Sequence, residues 1–387
     1  VEMTDAKIKE QAAISLQKPS VTTVKKHTFT ELVEVQKIIG QYQFNIAACG
    51  NAYSENATLV DVGQSHISMC AEYEKAYDSK FLGNSSGSYL DKSYAGANSS
   101  IYKAYLVYVC STAGDYDAIS VAGDVPITFL YAGENKTITS GLESLPQYFY
   151  YSTDHRTATG WLDVTDFVKQ NGYGWYYCCN IPYIGGSGTD DFSCWRLVVI
   201  EERSDLPVRL VKLNIGSKGG AGSETSMEIS GDNILTKKSG TVTGQFLFSS
   251  TNSDPQPNQT TIQYSKTGNT ADYTSIVTNN GLRTAVLPLP MVMSRNGIPL
   301  LNDTNYSGGT YYYTKTYSVD ANAGIYSTTA DASYLKSTGA DIELLDVDGT
   351  TSKHNVTLAN GSSKVLFKMQ SGATYITDIL GMAVDIN

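Results

Sequence analysis

Few side chains in this sequence are placed for catalysis. The four histidines are far apart and none lies in a His-Glu-x-x-His zinc motif: His27, His66, His155 and His354. Glu201 and Glu202 are adjacent on a predicted strand, so their carboxylates should point to opposite faces of the sheet and could not act together. These patterns predict a protein that is not an enzyme.

Aspartates in polar segments offer oxygen ligands for calcium, which binds about six to eight of them. The candidates are Asp115, Asp117, Asp346 and Asp348. The Asp346-Val-Asp-Gly segment lacks the remaining ligands of an EF-hand loop, so solvated turn residues are the alternative interpretation. A structural calcium ion is the one cofactor that this pattern allows.

The six cysteines form no Cys-x-x-Cys metal motif: Cys49, Cys70, Cys110, Cys178, Cys179 and Cys194. Because neighbours in a strand point to opposite faces, Cys178 and Cys179 should have different surroundings. We predict disulfides, since the composition described below favours an extracellular protein. Cys194 is a candidate partner for one of the adjacent pair, and Cys49 with Cys70 is a second candidate pair. Buried free thiols are the alternative.

Asn-x-Ser/Thr sequons make several sites candidates for glycosylation in a secreted protein. They begin at Asn56, Asn84, Asn98, Asn135, Asn258, Asn302, Asn305, Asn355 and Asn360. In a chain so rich in Ser and Thr, several of them arise by chance and would be ordinary polar turns. Clusters such as Tyr148-Phe-Tyr-Tyr could stack on sugars or fill contacts between subunits.

The elements that must position these residues are strands. Between Trp161 and Val211, three segments rich in aromatic and β-branched residues are separated by clusters of Gly, Asn, Ser and Asp. This pattern is typical of adjacent antiparallel strands joined by turns. We therefore place the centre of a large β-sandwich here.

The same stretch resembles a known module. It contains Asp163-Val-Thr, Gly172-Tyr, Asn180-Ile-Pro, Trp195-x-Leu-Val-Val and Leu206-Pro-x-Arg. These motifs resemble those of a β-sandwich module found in secreted, adhesin-like proteins of prokaryotic cell surfaces, a family of unassigned function. The resemblance covers roughly residues 45–387 and implies a sandwich architecture and a cell-surface location, but no reaction. The cysteines inside the matching strands depart from the pattern.

Composition favours an extracellular structural protein. Only 17% of the residues are charged, whereas 28 are Tyr and 34 are Gly, a bias suited to long strands with uncharged polar faces. A net charge of −10 argues against binding to nucleic acid. The absence of a long apolar run predicts no membrane span. The chain starts at Val1, which we interpret as a processed N-terminus after removal of a secretion signal; a trimmed chain is the alternative.

Residues 1–39 are predicted to form a separate N-terminal arm. A short helix capped by Thr4 or Asp5 should end before Pro19, and an extended segment should follow. That segment could pair within its own sandwich or add to a sheet edge of a neighbouring subunit, and the sequence favours neither arrangement. The residues of this candidate assembly strand are Val21, Val24, Phe29, Val33, Val35 and Ile38.

The rest of the chain, residues 40–387, contains many short strands separated by Gly, Asn and Ser turns. This arrangement predicts an all-β fold: a large antiparallel double-sheet sandwich, jelly-roll-like, carrying the short N-terminal arm. A division into two domains near residue 295 is the alternative.

These features together suggest a self-assembling extracellular subunit of a prokaryotic surface filament, sheath or similar appendage. Its partners would be copies of itself, joined by addition of the N-terminal strand. The alternative is a monomeric adhesin or carbohydrate-binding module that recognises cell-surface or host glycans. A hydrolase with dispersed carboxylates is a third possibility.

Overall fold

Strands dominate the structure. The computed structural model describes residues 14, 16–18, 21–28, 31–53, 59–60, 85–111, 123–151, 157–182, 191–219, 225–227, 235–252, 260–265, 269, 271–275, 292–295, 298–299, 310–312, 316–320, 325–328, 340–347, 357–362, 366–371 and 375–387. Two helices occur in this part of the chain, α1 (Lys92–Ala95) and α2 (Thr165–Asn171). No helix in these ranges has the length and apolar character needed to cross a membrane.

The strands are, in chain order, β1 (Leu16–Gln17), β2 (Lys25–Thr28), β3 (Leu32–Gly40), β4 (Tyr42–Tyr53), β5 (Leu59–Val60), β6 (Ser85–Leu90), β7 (Ser99–Ser111), β8 (Ile127–Gly133), β9 (Ser140–Ser144), β10 (Tyr148–Tyr151), β11 (Thr157–Asp163), β12 (Gly174–Cys179), β13 (Asp191–Arg203), β14 (Arg209–Gly219), β15 (Thr225–Met227), β16 (Gly244–Asn252), β17 (Thr260–Ser265), β18 (Thr274–Ser275), β19 (Val292–Arg295), β20 (Ile298–Pro299), β21 (Thr310–Tyr312), β22 (Thr316–Asp320), β23 (Ile325–Thr328), β24 (Ala340–Val347), β25 (Leu366–Ser371) and β26 (Tyr375–Asp385).

These strands form three main sheets, each with antiparallel pairs and one parallel pair. Sheet A has the order β1-β9-β8-β12-β6, sheet B the order β2-β10-β11-β7-β13-β4-β5, and sheet C the order β20-β19-β24-β16-β26-β14-β3. Two smaller sheets contain β15-β25-β17-β18 and β21-β22-β23. The predicted all-β sandwich is confirmed.

Sheet B lies between the other two main sheets. On one face, Trp195 of β13 meets Phe129 of β8 in sheet A, with ring centroids 5.9 Å apart. On the other face, Val198 of β13 shares a buried cluster with Leu247 and Ile342 of sheet C. The sandwich therefore has three stacked main layers, whereas the sequence predicted two.

Strand β13 runs through the middle of sheet B, between β7 and β4. Its Trp-Arg-Leu-Val-Val-Ile run, residues 195–200, is fully buried because both faces of the strand are covered. Burial of such side chains stabilises the fold by about 1.5–3 kcal/mol each. The Trp195 indole N–H donates to the Ser86 hydroxyl at 2.8 Å, which anchors sheet A to sheet B.

The chain passes between sheets B and C at two neighbouring crossings. One joins β3 to β4 at Gln41, and the other joins β13 to β14 through residues 204–208. The Gln41 side-chain amide donates to the carbonyls of Ser204 (2.9 Å) and Leu206 (2.7 Å). The sequence predicted that the strands of the 161–211 stretch are neighbours in one sheet. Instead, β12, β13 and β14 lie in sheets A, B and C respectively.

The N-terminal residues are not a separate arm where the structure describes them. Leu16, predicted in a helix, lies in β1, which pairs with β9. The three strands β1, β2 and β3 belong to sheets A, B and C respectively. Sheet C joins strands from both sides of residue 295.

Candidate functional site

The outer edge of sheet C is the most exposed apolar feature of the described residues. The sheet ends in β3, a nine-residue strand that pairs with β14 on one side and with no described strand on the other. In this part of the chain, three large apolar side chains are strongly exposed: Ile39 (54%), Val33 (46%) and Val208 (44%). Two of them belong to β3, and Val208 immediately precedes β14. Val33 and Ile39 thus lie on the edge strand, whereas Val208 lies at the start of the neighbouring strand, where its carbonyl accepts a hydrogen bond from Ile386.

Strand β3 contains a β-bulge at Val35. Gln36 lies opposite Leu213 and Glu34 lies opposite Asn214, so that Val35 is the extra residue between them. The bulge reverses the alternation of side chains along the strand. As a result, one face of β3 carries Leu32, Glu34, Lys37 and Ile39, and the other carries Val33, Val35, Gln36 and Ile38.

The first of these faces carries opposite charges. Glu34 and Lys37 are both exposed. The Lys212 ammonium of β14 lies 3.5 Å from the Glu34 carboxylate. Charged side chains on an edge strand oppose pairing with unrelated strands, because their charges must be matched or left in water. A strand that pairs with the outer side of β3 must therefore carry charges that match Glu34 and Lys37.

An aromatic groove of about 280 Å³ lies where β3 passes sheet B. On its wall, the ring of Tyr148 stacks on Trp161 with centroids 4.7 Å apart. The Lys25 ammonium lies 5.0 Å from the Tyr148 ring centroid. Asp163 adds an exposed acidic side chain to the lining. Stacked rings bordered by polar groups can bind the apolar face of a sugar ring.

A buried carboxylate network surrounds Glu201. Its carboxylate accepts hydrogen bonds from the Tyr173 hydroxyl (2.6 Å), the Gln43 amide (3.0 Å) and the Asn45 amide (3.2 Å). Burial raises the pKa of Glu201, and the three hydrogen bonds oppose that rise. Glu202 is exposed, which confirms that the adjacent pair points to opposite faces. The network joins β4 and β13 to the turn before β12.

A buried ion pair joins sheets B and C. The Arg196 guanidinium of β13 contacts the Asp378 carboxylate of β26, and neither side chain has exposed surface. Asp378 occupies a bulge, because Thr377 lies opposite Ser250 and Ile379 opposite Ser249. Burial raises the pKa of Asp378, while Arg196 opposes the rise. The pair is internal and belongs to the scaffold.

The predicted disulfides do not form among the five cysteines that the structure describes. These are all buried free thiols: Cys49, Cys110, Cys178, Cys179 and Cys194. Cys178 faces the core between sheets A and B, and Cys179 faces the opposite side of sheet A, as the alternation predicted. Cys194 faces sheet C, away from both, so it cannot bridge to either. Cys70 lies outside the described residues.

Of the four calcium candidates, the structure describes only Asp346. Asp346 binds Arg295 through two hydrogen bonds of 2.8 and 3.1 Å and accepts a third from Gln245. Its carboxylate is therefore already neutralised. Asp115, Asp117 and Asp348 lie outside the described residues. Within the described ranges, no group of three or more possible metal ligands occurs.

Three of the sequons lie in the described ranges. Asn98 and Asn135 are exposed in turns. Asn360 is also exposed, but its side-chain N–H group donates to the carbonyls of Lys237 and Gly240 at 2.9 and 2.7 Å. The other six fall outside these ranges: Asn56, Asn84, Asn258, Asn302, Asn305 and Asn355. Of the histidines, His66, His155 and His354 fall outside as well, and His27 stacks on Tyr150 at 5.3 Å.

The candidate assembly strand is used within its own chain. Strand β2 pairs with β10 and β3 pairs with β14. Val35 and Ile38 pack against the core between sheets B and C, and Val24 packs against the core between sheets A and B. Donation of this segment to a neighbour would require it to leave its own sheets and would expose these side chains. Val33 remains exposed, and Phe29 lies outside the described residues.

Sequence reasoning missed the ion pair and the exposed edge. A charged residue inside an apolar run, such as Arg196 after Trp195, indicates a buried partner and could have been noticed. Its partner could not be found, because the bulge that turns Asp378 inward leaves no sequence pattern. Val208 directly precedes β14, and no sequence pattern marks it as exposed.

No protein family model and no curated protein matches the chain. Among solved structures, the major capsid protein P2 of bacteriophage PM2 is 10% identical, with 89% of this chain and 98% of that chain covered and a TM-score of 0.17. An archaeal virus protein with a triple jelly roll fold is 9% identical over 92% of this chain and 84% of that chain, with a TM-score of 0.15. PNGF-II is 8% identical over 89% of this chain and 65% of its own, with a TM-score of 0.20. Likenesses this low carry no argument about the function of the chain.

Proposed function

We propose that this protein is a structural subunit that assembles with copies of itself on the outside of a prokaryotic cell, in a filament, sheath or similar appendage. The observation that carries the proposal is the edge strand β3, which pairs with no described strand on its outer side and exposes Val33 and Ile39. An edge strand with exposed apolar side chains is a site where another chain can pair. The uncharged, Tyr-rich and Gly-rich composition supports the extracellular location.

The joint in this proposal is the outer side of β3. Its inner side is occupied by β14, so the strand cannot be donated while the sheet stays intact. An unpaired edge presents backbone N–H and C=O groups that another strand can satisfy. Subunits would thus associate by continuing an existing sheet, with the folded core unchanged.

Sedimentation velocity of the purified full chain over a wide concentration range, followed by negative-stain imaging, tests the proposal. Wild type should form larger species as concentration rises, and Val33→Ser with Ile39→Ser should weaken this association. Lys18→Ser is the matched control, because Lys18 is exposed on the sheet A side. Wild type that stays monomeric at the highest concentration would rule out self-assembly.

The second candidate is a monomeric adhesin or carbohydrate-binding module. The Tyr148 ring and the neighbouring Asp163 in the groove favour it, because an aromatic side chain beside a carboxylate can contact a sugar. A glycan array should then show saturable binding that Tyr148→Ala abolishes while thermal stability is retained. An array on which no glycan binds would exclude this candidate.

A further inference from the structure

We infer that β3 pairs antiparallel with β3 of a second copy of this chain, around a two-fold axis that passes between Val35 and Gln36. This inference rests on the proposed function and specifies the partner and the register of its joint. The resulting contact is the same surface on both copies and closes on itself, giving a dimer. Further growth would require a different surface.

The bulge at Val35 restricts the register. In a regular antiparallel pair, side chains directly opposite each other lie on the same face of the sheet. Because the bulge reverses the alternation within β3, most registers would set a residue of one face opposite a residue of the other. When the bulge of one copy lies opposite the bulge of the second, the faces match along the whole strand.

This register also matches the side chains. On one face, Glu34 lies opposite the second copy's Lys37, and the same pair occurs again on the other side of the axis. Leu32 lies opposite the second copy's Ile39 on that face, and Val33 lies opposite the second copy's Ile38 on the other. Opposite charges and apolar side chains placed directly across two strands stabilise their pairing.

The charges that oppose pairing with unrelated strands thus favour pairing with a second copy of β3. Lys37 is exposed in the middle of the strand and would oppose pairing with a strand that lacks an acidic residue at the opposite position. Glu34 already lies 3.5 Å from Lys212 of its own chain, so the second copy's Lys37 would join an existing pair of opposite charges. The exposed Val33 and Ile39 side chains would lose contact with water in the same step.

Charge reversal in the full chain tests the register. Glu34→Lys leaves two positive charges on the face and Lys37→Glu leaves two negative charges, so each variant should dimerise about tenfold or more weakly than wild type. A mixture of the two single variants should associate, because Lys at position 34 of one then faces Glu at position 37 of the other. The double variant should also dimerise, since both charges are exchanged. Lys18→Glu, on the sheet A side, is the control for net charge.

Sedimentation velocity on each variant, on the mixture and on the double variant provides the measurement, with circular dichroism to confirm folding. Recovery in the mixture can occur only if both single variants are folded. If wild type assembles and the single variants assemble equally well, the register is wrong while the proposed function stands. If wild type is monomeric throughout, both the register and the proposed function are wrong.

Discussion

The guanidinium of Arg196 and the carboxylate of Asp378 form an ion pair with both side chains fully buried between sheets B and C. The two residues belong to β13 and β26, which share no backbone hydrogen bonds. The pair therefore fixes how two apolar layers sit on each other. Burial of charge is costly, and the attraction between the partners offsets that cost only while both are present.

Removal of either partner of this ion pair should strongly destabilise the fold. Asp378→Asn, or Arg196→Met, leaves a charged or polar group in the core, and we expect the free energy of unfolding to fall by about 3–5 kcal/mol. The double variant Arg196→Met with Asp378→Leu should lose much less, because no charge remains buried. Urea denaturation of the four proteins measures this difference. Single variants within about 1 kcal/mol of wild type would show that the pair does not hold the sheets.

The stability of the protein should depend on pH through Glu201. Its folded pKa lies above the ordinary value of 4.5, because burial disfavours the charged carboxylate. At a pH between 4.5 and the folded pKa, the folded state binds more protons than the unfolded state. This contribution to stability is therefore complete below pH 4.5 and is lost as pH rises through the folded pKa. Glu201→Gln should therefore gain stability relative to wild type as pH rises.

Urea midpoints of wild type and Glu201→Gln, measured from acid to neutral pH, test this expectation. Glu202→Gln is the matched control, since Glu202 is the next residue and points to solvent. It removes a carboxylate from the neighbouring solvent-exposed position, and its pH slope is the comparison for Glu201→Gln. Equal pH slopes for the two variants would contradict the role assigned to Glu201.

The described cysteines should behave as unreactive free thiols. Burial raises the pKa of Cys110 to about 12 and that of Cys194 to about 11, and it raises the pKa of Cys178 as well. Thiolates react and thiols do not, so a Cys70→Ser variant purified without reductant should resist maleimide at about pH 8. After unfolding in urea, still without reductant, mass spectrometry should find five labelled cysteines. A smaller number would reveal a disulfide.

Sequon occupancy should follow side-chain hydrogen bonding. Asn98 and Asn135 are exposed in turns, whereas the Asn360 side-chain nitrogen donates to two backbone carbonyls. Glycosylation modifies that nitrogen, so it would have to break both hydrogen bonds. When the chain is secreted from a eukaryotic host that glycosylates such sites, glycopeptide mass spectrometry should find sugar at Asn98 and Asn135 but not at Asn360. Full occupancy of Asn360 would show that this turn opens before modification.

The faces of strand β7 could be predicted from the sequence only in part. The Ile101–Cys110 segment, rich in Tyr and Val, predicts a strand with even and odd positions on opposite faces. Strand β7 covers Ser99–Ser111. Its alternating faces are confirmed from Ala104 to Val109, where even and odd positions enter different cores. Before Ala104, a β-bulge in the pairing with β13 reverses this alternation. Ile101 therefore packs against the core between sheets A and B, and Tyr102 against the core between sheets B and C. The alternation of residues along a strand thus predicts the face on which each side chain lies only where the strand pairing is regular.

The sequence by itself determined that this chain is an all-β sandwich, because β-branched and aromatic residues alternate between Gly and Asn turns. It also determined that Cys178 and Cys179, and likewise Glu201 and Glu202, point in opposite directions. Only the tertiary structure decided which strands share a sheet, that sheet B is covered on both faces, and that β3 is the last of the described strands in sheet C. The physical reason is that strand pairing and layer stacking join residues that are far apart in the chain. In addition, a β-bulge changes the face on which the following side chains lie, and no residue type marks its position.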